Sequence, residues 1–458
     1  MSKYGGNDVD VISLEWTTTP SRDRVSATLV CNYLRLQGLA VMETSVYDGL
    51  QAIHGAQPRL LFITNTVGAA ENLELMRYAK RRNMLGASLV SEGNLQGDAA
   101  YQSEMIWGWN KEKLLHEDIN MQWSEFSREA TLALHPELAG RIKISGGVGF
   151  DNYKIADAQN VKETILDKFQ KSGYGKVVGV GCWDFGSLYP RDTRFKSVER
   201  LFDAQQIERF KKDSHAFDDI LVELANANQD TLFLLKQHPG VQLGHMASGI
   251  TKAAQLKNVL VLTNEEPILA CIQASDIWIV YESTTAMEAW LLGKPTCLLN
   301  PSGRDFPRDK LNEGSPAFDS ADQLQRVIDA LYSGREIAEF AERAQRRAQL
   351  IKGVIQWDDG LNHVRAGNEI IDLLLREPRR GWRGESLRET FNRWVQHARW
   401  QFGPYVRRSE SFRTSYANRL NFSAAALKDY QESKLREQEA FYRKLGLSLA
   451  DLRQIRCL

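Results

Sequence analysis

Ser283, Thr284 and Thr285 stand in a row between the apolar run "SDIWIV" (275–280) and a small-residue stretch that stops at Gly-Lys-Pro. A strand that turns through three hydroxyls into a helix start makes an anion site. The first backbone N–H groups of the helix point back at the turn, and the hydroxyls can cap it or donate to a phosphate. Glu282 belongs to the same turn, and Glu288, one turn into the helix, could accept hydrogen bonds from ribose hydroxyls. Ser and Thr are also the commonest helix caps, so the cluster means more than any one member. A second stretch, "LLKQHPG", runs an apolar strand into Lys236, His238 and Pro239. A lone His after a strand is often structural, but this one falls at a strand end like the hydroxyl turn. A third, "GVGCWDFGSLYPRD" (179–192), leads from a glycine-bearing strand into an irregular loop. It lacks the spacing and the following helix of a dinucleotide fingerprint.

The elements that would position these residues alternate. In the first half, "VDVISLEW", a helical stretch over 21–37, "AVMETSV", "RLLFITN", a helix over 68–82, "GASLV" and a final strand ending "SGGVGFD" follow one another. From Lys176 a second series begins with "KVVGVGC", a long helix near 199–227, "TLFLLKQHP", "NVLVLT", "DIWIVY" and "PTCLLN". Strands alternating with helices predict βαβ units and parallel sheets, whose ligands bind beyond the carboxyl ends of the strands. The expected division is an N-terminal Rossmann-like domain over 1–155, a linker over 156–175, a second Rossmann-like domain over 176–376 and a helical tail over 377–458.

"KQHP" (236–239), "NVLVLT" (258–263) and "SDIWIVYESTTAMEAWLLGKPTCLLNP" (275–301) together resemble the C-terminal half of bacterial glycosyltransferases of the surface-carbohydrate group, similar to Kdo and sialic-acid transferases. The likeness covers 176–376 well and the first half more loosely, through "RLLFITNTVGAAENLELMRYAKRRN" and "SLVSEGN". It implies the GT-B fold, an α/β class with two doubly wound Rossmann-like domains facing a cleft, here with a helical C-terminal appendage. It implies a nucleotide sugar bound through Lys236, His238, Pro239, Glu282, Ser283, Thr284, Thr285 and Glu288. The activity implied is sugar transfer to a lipopolysaccharide or capsule glycan, with a CMP-linked acidic sugar such as Kdo favoured over UDP-sugars. A UDP-sugar 2-epimerase, a glycerophosphotransferase on the same fold and a non-catalytic assembly scaffold are the alternatives. An attacking acceptor must lose a proton to a carboxylate or His. Glu92 in "SLVSEGN" is the first candidate, Asp151 after "SGGVGF" the second, and Glu117 or Asp118 the third. No cofactor is expected. The Asp8-Val9-Asp10 motif lies at the amino end of the first strand and no His-x-x-x-His pair occurs, so the leaving phosphate is expected to be neutralised without a metal.

With 458 residues, 43% hydrophobic and 25% charged, and 58 basic against 58 acidic side chains, the chain reads as a soluble two-domain protein without the basic excess of a nucleic-acid binder. Five scattered cysteines argue against a disulfide scaffold and for a reducing cytoplasm. No signal peptide and no run of ~20 apolar residues is visible, so neither secretion nor a membrane span is expected. The tail differs. Arg379 to Arg419 holds ten Arg against Glu385, Glu389 and Glu410, interleaved with Trp382, Trp394, Trp400, Phe402 and Tyr405. Such a segment either lies on an anionic membrane surface, making the protein peripheral at the inner membrane, or packs back on the body. The last stretch, "ALKDYQESKLREQEAFYRKLGLSLADLRQI", has helical period and could mediate a homodimer.

Overall fold

Parallel strands covered on both faces read as near-continuous apolar runs. "VISLE" and "LLFIT" fold that way: every residue of β1 (Val11–Glu15) and β3 (Leu60–Thr64) is buried in the computed structural model. The structure describes residues 9–16, 21–90, 99–189, 195, 199, 202–238, 249–281, 283–303, 310–406 and 423–457. β2 (Val41–Ser45), β4 (Leu85–Leu89), β5 (Ile119–Gln122) and β6 (Ile142–Ile144) complete a parallel sheet of order β2-β1-β3-β4-β5-β6. β1 pairs with β2 on one side and β3 on the other, Val11 lying opposite both Val41 and Leu60. The winding therefore reverses between β1 and β3. α1 (Arg22–Leu36), capped by Ser21 through the Arg24 N–H at 3.2 Å, and α2 (Ala70–Arg81) connect these strands.

A second sheet is built from β7 (Lys176–Gly181), β8 (Thr231–Lys236), β9 (Val259–Leu262), β10 (Ile277–Val280), β11 (Thr296–Leu299) and β12 (Ala317–Phe318). Its order, β12-β11-β10-β7-β8-β9, is parallel throughout and reverses between β7 and β10. α3 (Ala204–Ala227) starts on a capping box in which the Asp203 carboxylate accepts the Gln206 N–H and the Gln206 amide accepts the Asp203 N–H. α4 (Thr285–Leu291) follows β10.

The chain divides into two compact units, 1–156 with 352–458 and 157–351. This differs from the expected division at the C-terminal end, where the helix α5 (Asn362–Arg376) belongs to the first unit. Gly367 allows the close approach, since a Cβ there would meet the Tyr33 ring of α1 at 2.4 Å. Alongside it, the Tyr33 hydroxyl donates to Asn368 at 2.7 Å. The tail packs back as well. In α6 (Leu387–Val406), Glu389 pairs with Arg81 at 2.9 Å and Arg82 at 2.5 Å, and Arg393 pairs with Glu385 at 2.9 Å. α7 (Ala424–Leu445) lies along α1. Its buried Gln438 donates to the Leu29 carbonyl and accepts from Asn32, and its Phe441 and Tyr442 join the same core as Tyr33.

Candidate functional site

Three strand ends meet at the reversal point of the second sheet, because β8 and β10 flank β7. β7 delivers Cys182, Trp183 and Asp184; β8 delivers Gln237 and His238; β10 delivers Tyr281 and the hydroxyl turn. The His238 ring is half exposed, and its Nδ1 lies 3.8 Å from the Asp184 carboxylate. Ser283 Oγ and Thr285 Oγ1 are 2.9 Å apart, the Thr285 N–H donates to Ser283 Oγ at 3.2 Å, and the Trp278 indole donates to Thr285 Oγ1 at 3.1 Å. Both hydroxyls are thus held in place, and both residues retain partial exposure. Glu288 is buried in the first turn of α4.

The flank of this edge is aromatic and braced. Tyr281 packs on Phe185 with centroids 4.9 Å apart, and Trp183 on Phe210 at 5.2 Å. The Tyr281 hydroxyl donates to Asp213 of α3 at 2.5 Å, and Ser302 donates to the other oxygen of the same carboxylate at 2.5 Å. Arg209 then donates to the Ser302 hydroxyl and carbonyl, each at 2.8 Å. Through this relay a single buried carboxylate ties the loop after β11 to the end of β10.

Lys236 departs from its expected role. Its side chain is largely buried, donates to the carbonyls of Thr263 and Glu266, and burial lowers the pKa of its ammonium. It is a strut between β8 and the loop after β9. Asp151 also departs from a catalytic role. It is buried, accepts from Asn362 at 2.8 Å and the His363 N–H at 2.7 Å, and lies 2.8 Å from His363 Nδ1, whose Nε2 faces the Tyr442 hydroxyl at 2.5 Å. That carboxylate clamps the start of α5, and through His363 it reaches α7. Glu117 and Asp118 precede β5, at the amino edge of their sheet, where Asp118 accepts from Lys80 at 2.6 Å and the Gly86 N–H at 2.7 Å. Glu92, Pro239 and Glu282 lie outside the described residues.

One carboxylate escaped the sequence reading. Glu15 ends β1, and its Oε1 accepts from Thr64 at the end of β3 at 2.8 Å, so it sits at the reversal point of the first sheet. Burial raises its pKa to about 8, against the opposing pull of Arg24. The signal was an acidic residue closing an apolar run. Among the described residues, no three His, Cys, Asp or Glu side chains group as they would around a metal ion. A cavity of about 330 Å³ lies in the first unit under residues 378–382. Of its lining arginines, Arg59, Arg82 and Arg380 contact Asp10, Glu389 and Glu377 respectively.

The fold and residues 195–301 can be set beside known proteins. That stretch matches the family model described as "Capsule polysaccharide biosynthesis protein". No curated protein matches the chain. Among solved structures, a putative UDP-N-acetylglucosamine 2-epimerase from Listeria monocytogenes aligns with a TM-score of 0.53 at 11% identity, covering 82% of this chain and 99% of that one. A variant of the wall teichoic acid polymerase TagF aligns at 0.51 and 12% identity, covering 81% and 90%. S. aureus MnaA, solved with UDP, aligns at 0.50 and 11% identity, covering 82% and 100%. These likenesses establish the GT-B fold, two Rossmann-like domains with a helical C-terminal region. Together with the capsule match they support a GT-B protein of surface-carbohydrate biosynthesis.

Proposed function

We propose that the chain is a glycosyltransferase of surface-glycan assembly that holds the nucleotide of its sugar donor at the carboxyl edge of the second sheet. The observation that carries this reading is convergence: His238 and the hydroxyl turn 283–285 come from different strands to one reversal point, and both fall within the capsule-family match. In the reaction, the bond from the anomeric carbon to the donor phosphate breaks with its electron pair going to the phosphate oxygen. Ser283, Thr285 and His238 carry donors of the type that stabilise that charge. Glu288 is assigned to the ribose. The acceptor oxygen forms the new bond and gives up its proton to a carboxylate, for which Glu92 is our assignment. Resemblance to Kdo and sialic-acid transferases favours a CMP-linked acidic sugar, and a glycan or glycolipid acceptor.

A second reading, a UDP-sugar 2-epimerase, is favoured by the fold shared with the putative UDP-N-acetylglucosamine 2-epimerase from Listeria monocytogenes. A panel of CMP- and UDP-sugars, incubated with and without a glycan acceptor and resolved by mass, separates them. Transfer from a CMP-linked acidic sugar is the expected result. Interconversion of free UDP-sugars replaces our reading with the second. Nucleotide binding without turnover of any donor leaves only a scaffold.

A further inference from the structure

α6 is docked with the opposite face to that of an ordinary surface helix. Its polar side meets the body: Glu389 pairs with Arg81 and Arg82, Arg393 donates to Gln51 at 2.8 Å, and Thr390 and Arg393 bond Glu385, just before the helix, which accepts from Tyr78 at 2.5 Å. The anchoring is firm. Burial acts to raise the Glu385 pKa, yet hydrogen bonds from Arg393, Tyr78 and Thr390 hold it at about 2. Its apolar side faces outward. Leu387 is 92% exposed, Phe391 and Trp394 66% each and Val395 49%. Their spacing of four, three and one residues places all four on one stripe.

Leaving such a stripe in water is unfavourable, so an occupant is implied. The charges around it select one. Between Pro378 and Val406 the acidic residues are Glu385 and Glu389, both on the docked side, and the solvent-exposed side chains of Arg388 and Arg399, about three turns apart, lie at one margin of the stripe. A second copy of the chain would bring the same arginines to face their own kind. The four side chains also offer roughly 500 Å², on the areas usual for such residues, short of the roughly 800 Å² per partner of a stable protein interface. Apolar and aromatic side chains edged by arginine match the interface of an anionic bilayer, which takes the stripe into the acyl boundary and the guanidinium groups among the phosphates.

We infer that α6 is a peripheral membrane-docking helix, holding the first unit against anionic phospholipid through Leu387, Phe391, Trp394 and Val395 with Arg388 and Arg399 at the headgroups. Nothing in this inference depends on which sugar reaction the protein carries out.

The test is co-sedimentation of the full chain with vesicles of one part phosphatidylglycerol to three parts phosphatidylcholine, and with phosphatidylcholine alone. The wild-type chain should bind the mixed vesicles, less so in high salt, and the pure ones weakly. Phe391→Ser with Trp394→Ser, both outward-facing, should keep the thermal transition and lower binding about tenfold or more. Arg388→Gln with Arg399→Gln should weaken binding to the mixed vesicles and flatten its salt dependence. The inference is overturned if the wild-type chain ignores the mixed vesicles, if the aromatic pair can be replaced without loss, or if the chain binds both vesicle types alike. It is equally overturned if the chain forms a concentration-dependent dimer that the aromatic substitutions abolish, since a second copy would then be the occupant.

Discussion

Replacing Glu15 by Gln should stabilise the first unit at neutral and alkaline pH and leave it nearly unchanged near pH 5. Burial holds the Glu15 carboxyl at about 8, against 4.5 in a free chain, with Arg24 as the main opposing influence and Asp23 and Glu43 adding to the rise. Between these values the folded chain keeps a proton that the unfolded chain has released, so stability falls as pH rises through the window. Each pH unit costs about 1.4 kcal/mol, or about 4 kcal/mol between pH 5 and 8. Gln is the neutral isostere and keeps an oxygen to accept from Thr64, so its variant lacks this slope. Scanning calorimetry of both proteins from pH 5 to 8 reads the difference. At about 2–4 °C per kcal/mol for a domain of this size, the gap between the two midpoints should widen by roughly 10 °C across the range. Midpoints that run parallel would show that the carboxyl is ionised in the fold and refute the reasoning.

Three further outcomes are expected. His238→Ala or Ser283→Ala should weaken nucleotide binding roughly tenfold by calorimetric titration, whereas Lys236→Met should leave affinity intact and cost about 1–3 kcal/mol of stability, because two carbonyls lose their donor. Asp151→Ala should destabilise the first unit by about 3 kcal/mol or more, since it strands buried donors of Asn362 and His363; an unchanged midpoint with lost turnover would return Asp151 to catalysis. Glu92→Gln should lower turnover ~100-fold while nucleotide binding persists, and full activity would remove it as the base.

Both sheets were legible because their strands are short apolar runs closed by turn residues, and the hydroxyl turn and His238 were legible as polar residues at the ends of such runs. β5 and the two-residue β12 were not. In β5, Asn120 and Gln122 interrupt the pattern, and the fold takes up their donors internally, Asn120 donating to Ser88 at 2.8 Å and Gln122 to Thr131 at 2.9 Å. The internal partners of Lys236 and Asp151 were hidden for a related reason, since residue type cannot say that a buried ammonium will meet carbonyls after the neighbouring strand, or a buried carboxylate the donors of a helix start more than 200 positions away. The assignment of α5 to the first unit depends on contacts more than 300 positions apart in sequence, such as Tyr33 with Asn368, which no local pattern records. In the tail, composition gave the arginines and aromatics of α6, but not that Glu389 and Arg393 would turn its polar face onto the first unit.

The glycines of "VGVG" in β7 show how packing can imitate a ligand motif. Gly179 and Gly181 fall short of a dinucleotide fingerprint, yet both are demanded by neighbours. A Cβ at Gly179 would sit 2.3 Å from the Trp278 ring and 2.2 Å from Ser275 Oγ, so the position lets β10 place its largest side chain across β7. That indole then donates to Thr285 Oγ1, and a Cβ at Gly181 would lie 2.8 Å from the same oxygen. The first glycine seats the tryptophan that orients the hydroxyl, and the second leaves room for the hydroxyl itself. The strand sets the geometry of Thr285, one strand away, and on the proposed reading of the hydroxyl turn a substitution at Gly181 should be felt in nucleotide binding through that hydroxyl.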